Sequence, residues 1–538
     1  MNSTPHGLRH RRLWGVVAGV VAVTTGVLLH LPDVNRAVEH ARMGMPGMAG
    51  MSMWTPSMAA GMALLVGGVG IAALSLLWRM PPPSGDRLPV DAIEHGRLGP
   101  RYWLTCLALT VALVIDIMKP LTLGFVVPGM SREYGLPLDT VAVLPMVALT
   151  GTVLGSVVWG LLGDRYGRRP AFVLATVVFV ATSACGAMPT FGWNLVMCFV
   201  MGTSAGGLLP LAFTLIAELA PRRHRGWLAV AVGGAGGIGG YLAASTAAYQ
   251  LEPVFGWRAL WLVGLPTGLL LLALMPLIPE SPLFLLRHGR RKAAEQILHR
   301  YGAHLGAPVA APAGQPATAR VGVGTLLRRY PVLTAVVGTV GTAWGLVNFG
   351  FLVMLPAQLR ESGMASAAVT GLLARSALYS APALILVVLL YAAWSGRRSL
   401  ALFVAATGLA LVGVAAWASW GAVPELLVVS VGTLVLALSA VNAILLPYSA
   451  ELYPTALRAT GSGFVAATTK AGGLLGPFAI LATLRVGSGT SPLVVSATAM
   501  AALSLLAAGL MLRYGTEPPP NVDPEPARFA GAGVSAGG

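Results

Sequence analysis

The sequence predicts an all-α polytopic membrane protein of fourteen spans, and three observations carry that prediction. Its 538 residues are 56% hydrophobic and 10% charged, against about 45–50% and about 25% in soluble domains. Such a chain cannot dress its surface for water. The apolar residues gather into fourteen runs of at least about 18 residues, the length at which a helix crosses a bilayer. The basic residues gather in alternate loops between those runs, as they do in membrane proteins.

Taken in order, the runs near 13–31 and 57–78 form an N-terminal two-helix appendage within 1–80. The first follows Arg9, Arg11 and Arg12 as a signal peptide would, but its apolar run is long and no small-residue cleavage site follows. It is therefore expected to be retained. A linker, 81–101, opens on Pro81-Pro82-Pro83. Six spans near 103–128, 139–162, 170–189, 193–219, 227–249 and 258–278 make a first bundle, 102–278. A polar central loop, 279–331, joins a basic part from Arg287 to Arg300 with an Ala/Pro/Gly-rich part from Ala307 to Ala319 that reads as flexible linker. Six more spans near 332–357, 367–393, 399–420, 424–450, 459–484 and 490–512 make a second bundle, 332–513, ahead of a disordered tail, 514–538. Six plus six about a central loop is the pattern of two pseudo-repeated bundles.

Charge placement sets the orientation. A net charge of +16 would suggest nucleic acid in a soluble protein. Here, alternating loops from an inside N terminus put about 26 of the 35 Lys and Arg on the cytoplasmic side, which leaves no case for a nucleic-acid partner. Both termini are expected in the cytoplasm and the chain in the cell membrane. Cys106, Cys185 and Cys198 all fall inside apolar runs without CxxC spacing, so they read as small core residues. No Walker A, His-Glu-x-x-His or Gly-x-Ser-x-Gly run stands in a suitable context. Neither an enzyme nor a bound cofactor is expected.

Between the second and third spans of the first bundle stands Gly163-Asp164-Arg165-Tyr166-Gly167-Arg168-Arg169. With Gly160 and Leu162 it resembles the Gly-x-Leu-x-Asp-Arg-x-Gly-Arg-Arg signature of major facilitator superfamily transporters. Gly163 and Gly167 would permit a tight reversal, and Asp164 would pair with a cation or a helix end, latching one transport state beside Arg165, Arg168 and Arg169. The segment Pro279-Glu280-Ser281-Pro282 through Arg290 resembles an element shared by sugar porters, aromatic-acid/proton symporters and organic-ion carriers, with Leu283-Phe284 in place of Arg-Trp. Glu451-Leu452-Tyr453-Pro454-Thr455 through Arg458 and Gly461 matches the same clade, and Glu218 through Pro221, Arg225 and Gly226 is its counterpart in the first bundle. These glutamates and arginines complete an expected cytoplasmic gate.

The resemblance covers about 103–513 and implies the two-bundle (6+6) fold, alternating access, a small-molecule substrate and, in many members, protons. The sugar branch fits poorly, because the seventh span of the twelve reads Trp344-Gly345-Leu346-Val347-Asn348-Phe349-Gly350 without Gln-Gln-x-x-Gly. The aromatic-acid and organic-ion branch is the nearer likeness. In the fourth span Cys198 stands where relatives carry an arginine linked to proton coupling.

Ionisable residues within spans point to the mechanism, because charge in a bilayer is expensive. Asp116 and Lys119 stand at i and i+3 on one helical face. They form either a proton-sensitive pair, with Asp116 taking the proton, or a structural one. Arg375 and Lys470 add two further cations, so an organic anion is the expected substrate, with Arg375 alternatively snorkelling to the interface. Trp344, Asn348, Asn442, Tyr448 and Tyr241 are expected to line the site. The Gly-rich fifth span, Gly233 to Gly240, is expected to serve close helix packing. A second reading comes from the appendage, whose outside loop holds His40, Met43, Met45, Met48, Met51 and Met53. Thioethers suit Cu(I), so copper transport or sensing is the alternative, against a Met-rich loop lying on lipid. A third reading keeps the fold but makes it a non-transporting receptor. A monomer embedded in the bilayer suffices for the first reading.

Overall fold

The computed structural model describes residues 5–43, 55–77, 98–302, 323–421, 423–453, 457–486 and 491–517. Within them the chain is helical, without a strand. The appendage contributes α1 (Leu13–His40) and α2 (Pro56–Leu77). The first bundle follows as α3 (Pro100–Tyr134), α4 (Leu138–Tyr166), α5 (Arg168–Ala187), α6 (Phe191–Leu219), α7 (Arg223–Phe255) and α8 (Ala259–Leu277). Short helices α9 (Pro282–Arg287) and α10 (Arg291–Arg300) lead away from it. The second bundle is α11 (Pro331–Glu361), α12 (Ser366–Ala393), α13 (Gly396–Trp420), α14 (Pro424–Ser449), α15 (Arg458–Val486) and α16 (Pro492–Tyr514). Thirteen of these are long and apolar enough among the described residues to cross a membrane, and α15, at 29 residues, packs with them as the fourteenth long helix.

Several boundaries differ from the expected ones for identifiable reasons. Helix α3 runs on through Pro128 to Tyr134 and stops where Gly135 adopts φ 61°, a left-handed cap that frees the chain to turn. The first long helix ends at Leu28, close to the expected limit near 31. The chain turns at Leu29-His30 and resumes as an amphipathic helix, Leu31–Arg42, so His40 stands on a helix and not in a loop. Met45, Met48, Met51 and Met53 lie outside the described residues, as do most of the linker, part of the central loop and nearly all of the tail.

The two bundles repeat one packing device. In the first, Gly236, Gly239 and Gly240 of α7 let that helix lie directly on Leu113, Val114 and Ile117 of α3. In the second, Gly472 and Gly476 of α15 lie against Thr342 and Gly350 of α11 in the same relation of fifth helix to first. Backbones approach this closely where no Cβ intervenes. Gly233, Gly234 and Gly237 meanwhile face Ala443, Leu384 and Ser439 of the second bundle, so α7 is packed on both sides. The appendage closes on itself through Gly19 and Gly68 and rests against α5.

Candidate functional site

One face of the molecule carries the charged turn and is called the basic face here. Helix α4 continues through Gly163 to Tyr166, and α5 starts at Arg168, so the reversal is made by Gly167 alone at φ 109° and ψ 154°. Gly163 is a helical residue against Leu211 and Arg168, which corrects its expected place in the turn. Glu280 accepts hydrogen bonds from the main-chain N–H of Arg168 (2.7 Å) and Arg169 (3.3 Å), capping α5 with a carboxylate from beyond α8. Burial pushes the Glu280 carboxyl above its ordinary range, while the Ser281, Arg168 and Arg169 N–H groups pull it back.

Arg168 also holds Asp164 at 2.5 Å and lies 3.7 Å from Glu218. Arg225 donates to the Ala220 carbonyl at 3.2 Å, covering the end of α6. Arg165 is exposed beside the Tyr166 ring. Asp164 and Glu218 belong to the first bundle, and Glu280 to the segment that follows it. Through Arg168 the expected latch ties α4, α5, α6 and the segment after α8 into one unit. The side chains of Glu451 and Arg458 lie outside the described ones.

At mid-depth the expected pair separates. Asp116, near the middle of α3, is buried, and its Oδ1 has no hydrogen-bond partner. The Leu209 main chain and the Lys470 ammonium are within its electrostatic reach. Lys470 comes from α15 of the second bundle, is half-buried, and hydrogen-bonds Ser156 of α4. Lys119 turns instead into the first bundle, where its ammonium donates to the Phe179 carbonyl (2.8 Å) and the Thr182 hydroxyl (2.7 Å) and sits 4.1 Å from the centre of the Phe179 ring. Three residues advance a helix about 300°, and that rotation is enough to send the two side chains to different neighbours. Cys198 is buried within reach of the Lys119 charge. A cation thus occupies that neighbourhood from another helix.

The other expected lining residues divide. Helix α11 carries a π-helical segment, Leu346–Leu352, that holds Asn348 and Phe349. Such segments recur at functional sites. Trp344 stands just before it, donates to the Leu438 carbonyl at 2.8 Å and meets Phe349 edge-on at 5.8 Å between ring centres. Asn348 and Asn442 are half-buried. Tyr241 is buried on α7 with its hydroxyl unpartnered. Tyr448 does not belong with them: it lies at the basic-face end of α14 and donates to the Thr516 carbonyl at 2.5 Å. Arg375 is exposed on a face shared with Leu378 and Tyr379, so it is not a buried cation, and its long side chain fits the snorkelling alternative.

The face opposite the basic one holds a contact that the sequence did not suggest. Arg360, at the end of α11, donates from Nη2 to Glu252 Oε2 near the end of α7 at 2.9 Å. Both side chains are largely buried, 9% and 12% exposed, and they belong to different bundles. Nearby Arg258 binds Glu133 at 2.6 Å and the Gly186 carbonyl at 2.7 Å, fastening α3, α5 and the α7–α8 turn. Neither pair is spaced within one helix, so no local pattern announces it.

A family model described as Major Facilitator Superfamily matches residues 104–477, more than half of the chain. The chain belongs to the Major Facilitator Superfamily. Among its relatives in that superfamily, a niacin transporter of Acinetobacter baylyi is 25% identical over 73% of this chain and 89% of its own. A gallate transporter of Pseudomonas putida is 27% identical over 80% of this chain and 97% of its own. The fold is shared with a proton:xylose symporter whose solved structure aligns with a TM-score of 0.60 at 17% identity, covering 78% of this chain and 97% of that one. The family's region starts inside α3, so the appendage stands outside it. The protein is a multi-pass membrane protein and not an enzyme.

Proposed function

We propose that this superfamily member carries a small organic acid anion, an aromatic carboxylate above all, in symport with protons by alternating access. The observation that carries the reading is that Lys470 of the second bundle stands within electrostatic reach of the buried Asp116 of the first. Lys470 supplies the charge an anionic substrate needs, and Asp116 is a buried acid able to take a proton in exchange for that cation. A carboxylate bound at Lys470 draws the ammonium from Asp116, which then retains a proton. Substrate and proton binding are coupled in this way through one shared cation. Asn348 and Asn442 offer neutral hydrogen bonds, and Trp344 with Phe349 offers an aromatic wall. Two relatives named for niacin and gallate, both aromatic carboxylates, support the same substrate class.

The basic face is assigned to the cytoplasm, with both termini there, on the distribution of Lys and Arg. One chain holds the whole site, so the working unit is a monomer. The copper reading gains no support: among the described residues no three His, Cys, Asp or Glu side chains come together as a metal site. The test is transport in proteoliposomes with radiolabelled aromatic acids. Asp116→Asn is expected to abolish accumulation driven by a proton gradient while sparing exchange of labelled for unlabelled substrate. Lys470→Gln is expected to impair both. Accumulation that survives in Asp116→Asn overturns the coupling assignment.

A further inference from the structure

Where the appendage leans on the first bundle, at the basic face, a cavity of about 1340 Å³ opens. It exceeds the ~300–1,000 Å³ of ordinary small-molecule pockets. Its lining is of two kinds. Val17 and Val20 of α1, Leu76 of α2, Leu104 of α3 and Leu272 of α8 make a slot between helices. At the helix ends above that slot stand Arg101, Arg169, Arg290 and Arg300, with Glu280 as the one acidic group in the lining.

Glu280 is already engaged by the main-chain N–H groups of Arg168 and Arg169. Arg101, Arg290 and Arg300 are exposed and form no ion pair among the described residues. Three uncompensated guanidinium groups at the mouth of an apolar slot call for an anion that has an apolar body. A free inorganic anion would leave the slot bare, and a zwitterionic lipid would bring a second cation towards the arginines. Guanidinium groups bind phosphate oxygens in a matching fork, and basic pockets between membrane helices collect acidic headgroups.

We propose that an acidic glycerophospholipid occupies this cavity, its phosphate on Arg101, Arg290 and Arg300 and its acyl chains between α1 and α8. The lipid fills the seam between the appendage and the transport core and fastens one to the other. This site is separate from the Asp116–Lys470 site and does not depend on it.

Thermal unfolding of the purified full-length protein in detergent tests the proposal, with phosphatidylglycerol, phosphatidylcholine of the same chains, or inorganic phosphate added. Phosphatidylglycerol is expected to raise the Tm saturably, as a ligand of the folded state does, and the other two to leave it unchanged. Changing Arg101, Arg290 and Arg300 together to Gln should remove at least about half of that rise, whereas the same charge loss at exposed Arg223, Arg328 and Arg329 should retain it. If the first triple variant does not fold, Ala293→Trp, which fills the cavity without altering charge, takes its place and should lose the rise. An equal rise with phosphatidylcholine or with phosphate overturns the proposal. So does an absent rise, as would follow if another segment of this chain filled the cavity, or a rise unchanged in the cavity variants.

Discussion

Arg360→Gln is the most informative single change, because Arg360 and Glu252 are the charged pair that joins the two bundles at the face opposite the charged turn. Their contact is 2.9 Å long and both side chains are largely buried. Nε and Nη1 of Arg360 have no partner of their own, so Glu252 is its principal engagement. A hydrogen bond between charged groups contributes about 1.5–3 kcal/mol. The contact spans the bundles, so separating their ends on this face breaks it, and its energy acts on the balance between closed and open states. Loss of 1.5–3 kcal/mol corresponds to an about 10- to 150-fold shift towards opening. The assay is electron-electron distance measurement between spin labels at Thr140 and Ser362, exposed positions on this face in different bundles. Arg360→Gln should move the distribution to longer distances, and Arg360→Lys, which keeps the charge, should fall between it and the wild type. Glu252 retains electrostatic company from Arg132 in the variant, so the fold is expected to survive. A folded Arg360→Gln protein with an unchanged distribution would refute the gating role.

Two further outcomes follow from the basic face. Gly167→Ala should lower the Tm far more than Gly163→Ala in the same thermal assay. At Gly167 a side chain meets a backbone conformation that costs roughly 1–3 kcal/mol outside glycine, and its Cβ would strike Glu280 and Phe284. At Gly163 it would meet the movable ends of Leu211 and Arg168. Equal losses would contradict the one-residue turn. Glu280 gives a pH signature. Burial raises its folded-state pKa above the unfolded value, so the folded chain binds this proton more tightly, and the resulting stability is complete below the unfolded pKa and lost as pH rises through the folded one. Glu280→Gln should flatten that part of the Tm-against-pH curve, and a curve parallel to wild type would show that Glu280 is not its source.

Much of the fold was legible because it depends on local chemistry. Apolar length gave the helices, Gly, Pro and Arg marked their ends, and the related elements at Glu218 and Glu451 disclosed the repeat. The site was legible only in its membership. Asp116 and Lys470 were recognised as costly buried charges, yet Asp116 was matched with Lys119 because helical spacing is the one distance a sequence supplies. Lys470, the cation within its electrostatic reach, is 354 positions away in the chain. Arg375 and Tyr448 were misplaced for a similar reason: a residue type within a span does not say which face its helix turns inward. Glu252 and Arg360 carried no signal, since each stands near a helix end where charge is ordinary.

The sequence by itself determined that this chain lives in a membrane, that its long helices group as two, six and six, and that it carries the elements of one transporter superfamily. These follow from solvation and from contiguous motifs, both properties of short stretches. Only the tertiary structure decided that Lys470 comes within electrostatic reach of Asp116 while Lys119 turns into the first bundle, that Arg168 of the charged turn engages Asp164, Glu218 and Glu280, and that Glu252 and Arg360 join the bundles at the other face. Side-chain partners across helices depend on each helix's rotation and depth, and those are fixed by the packing of all the helices together.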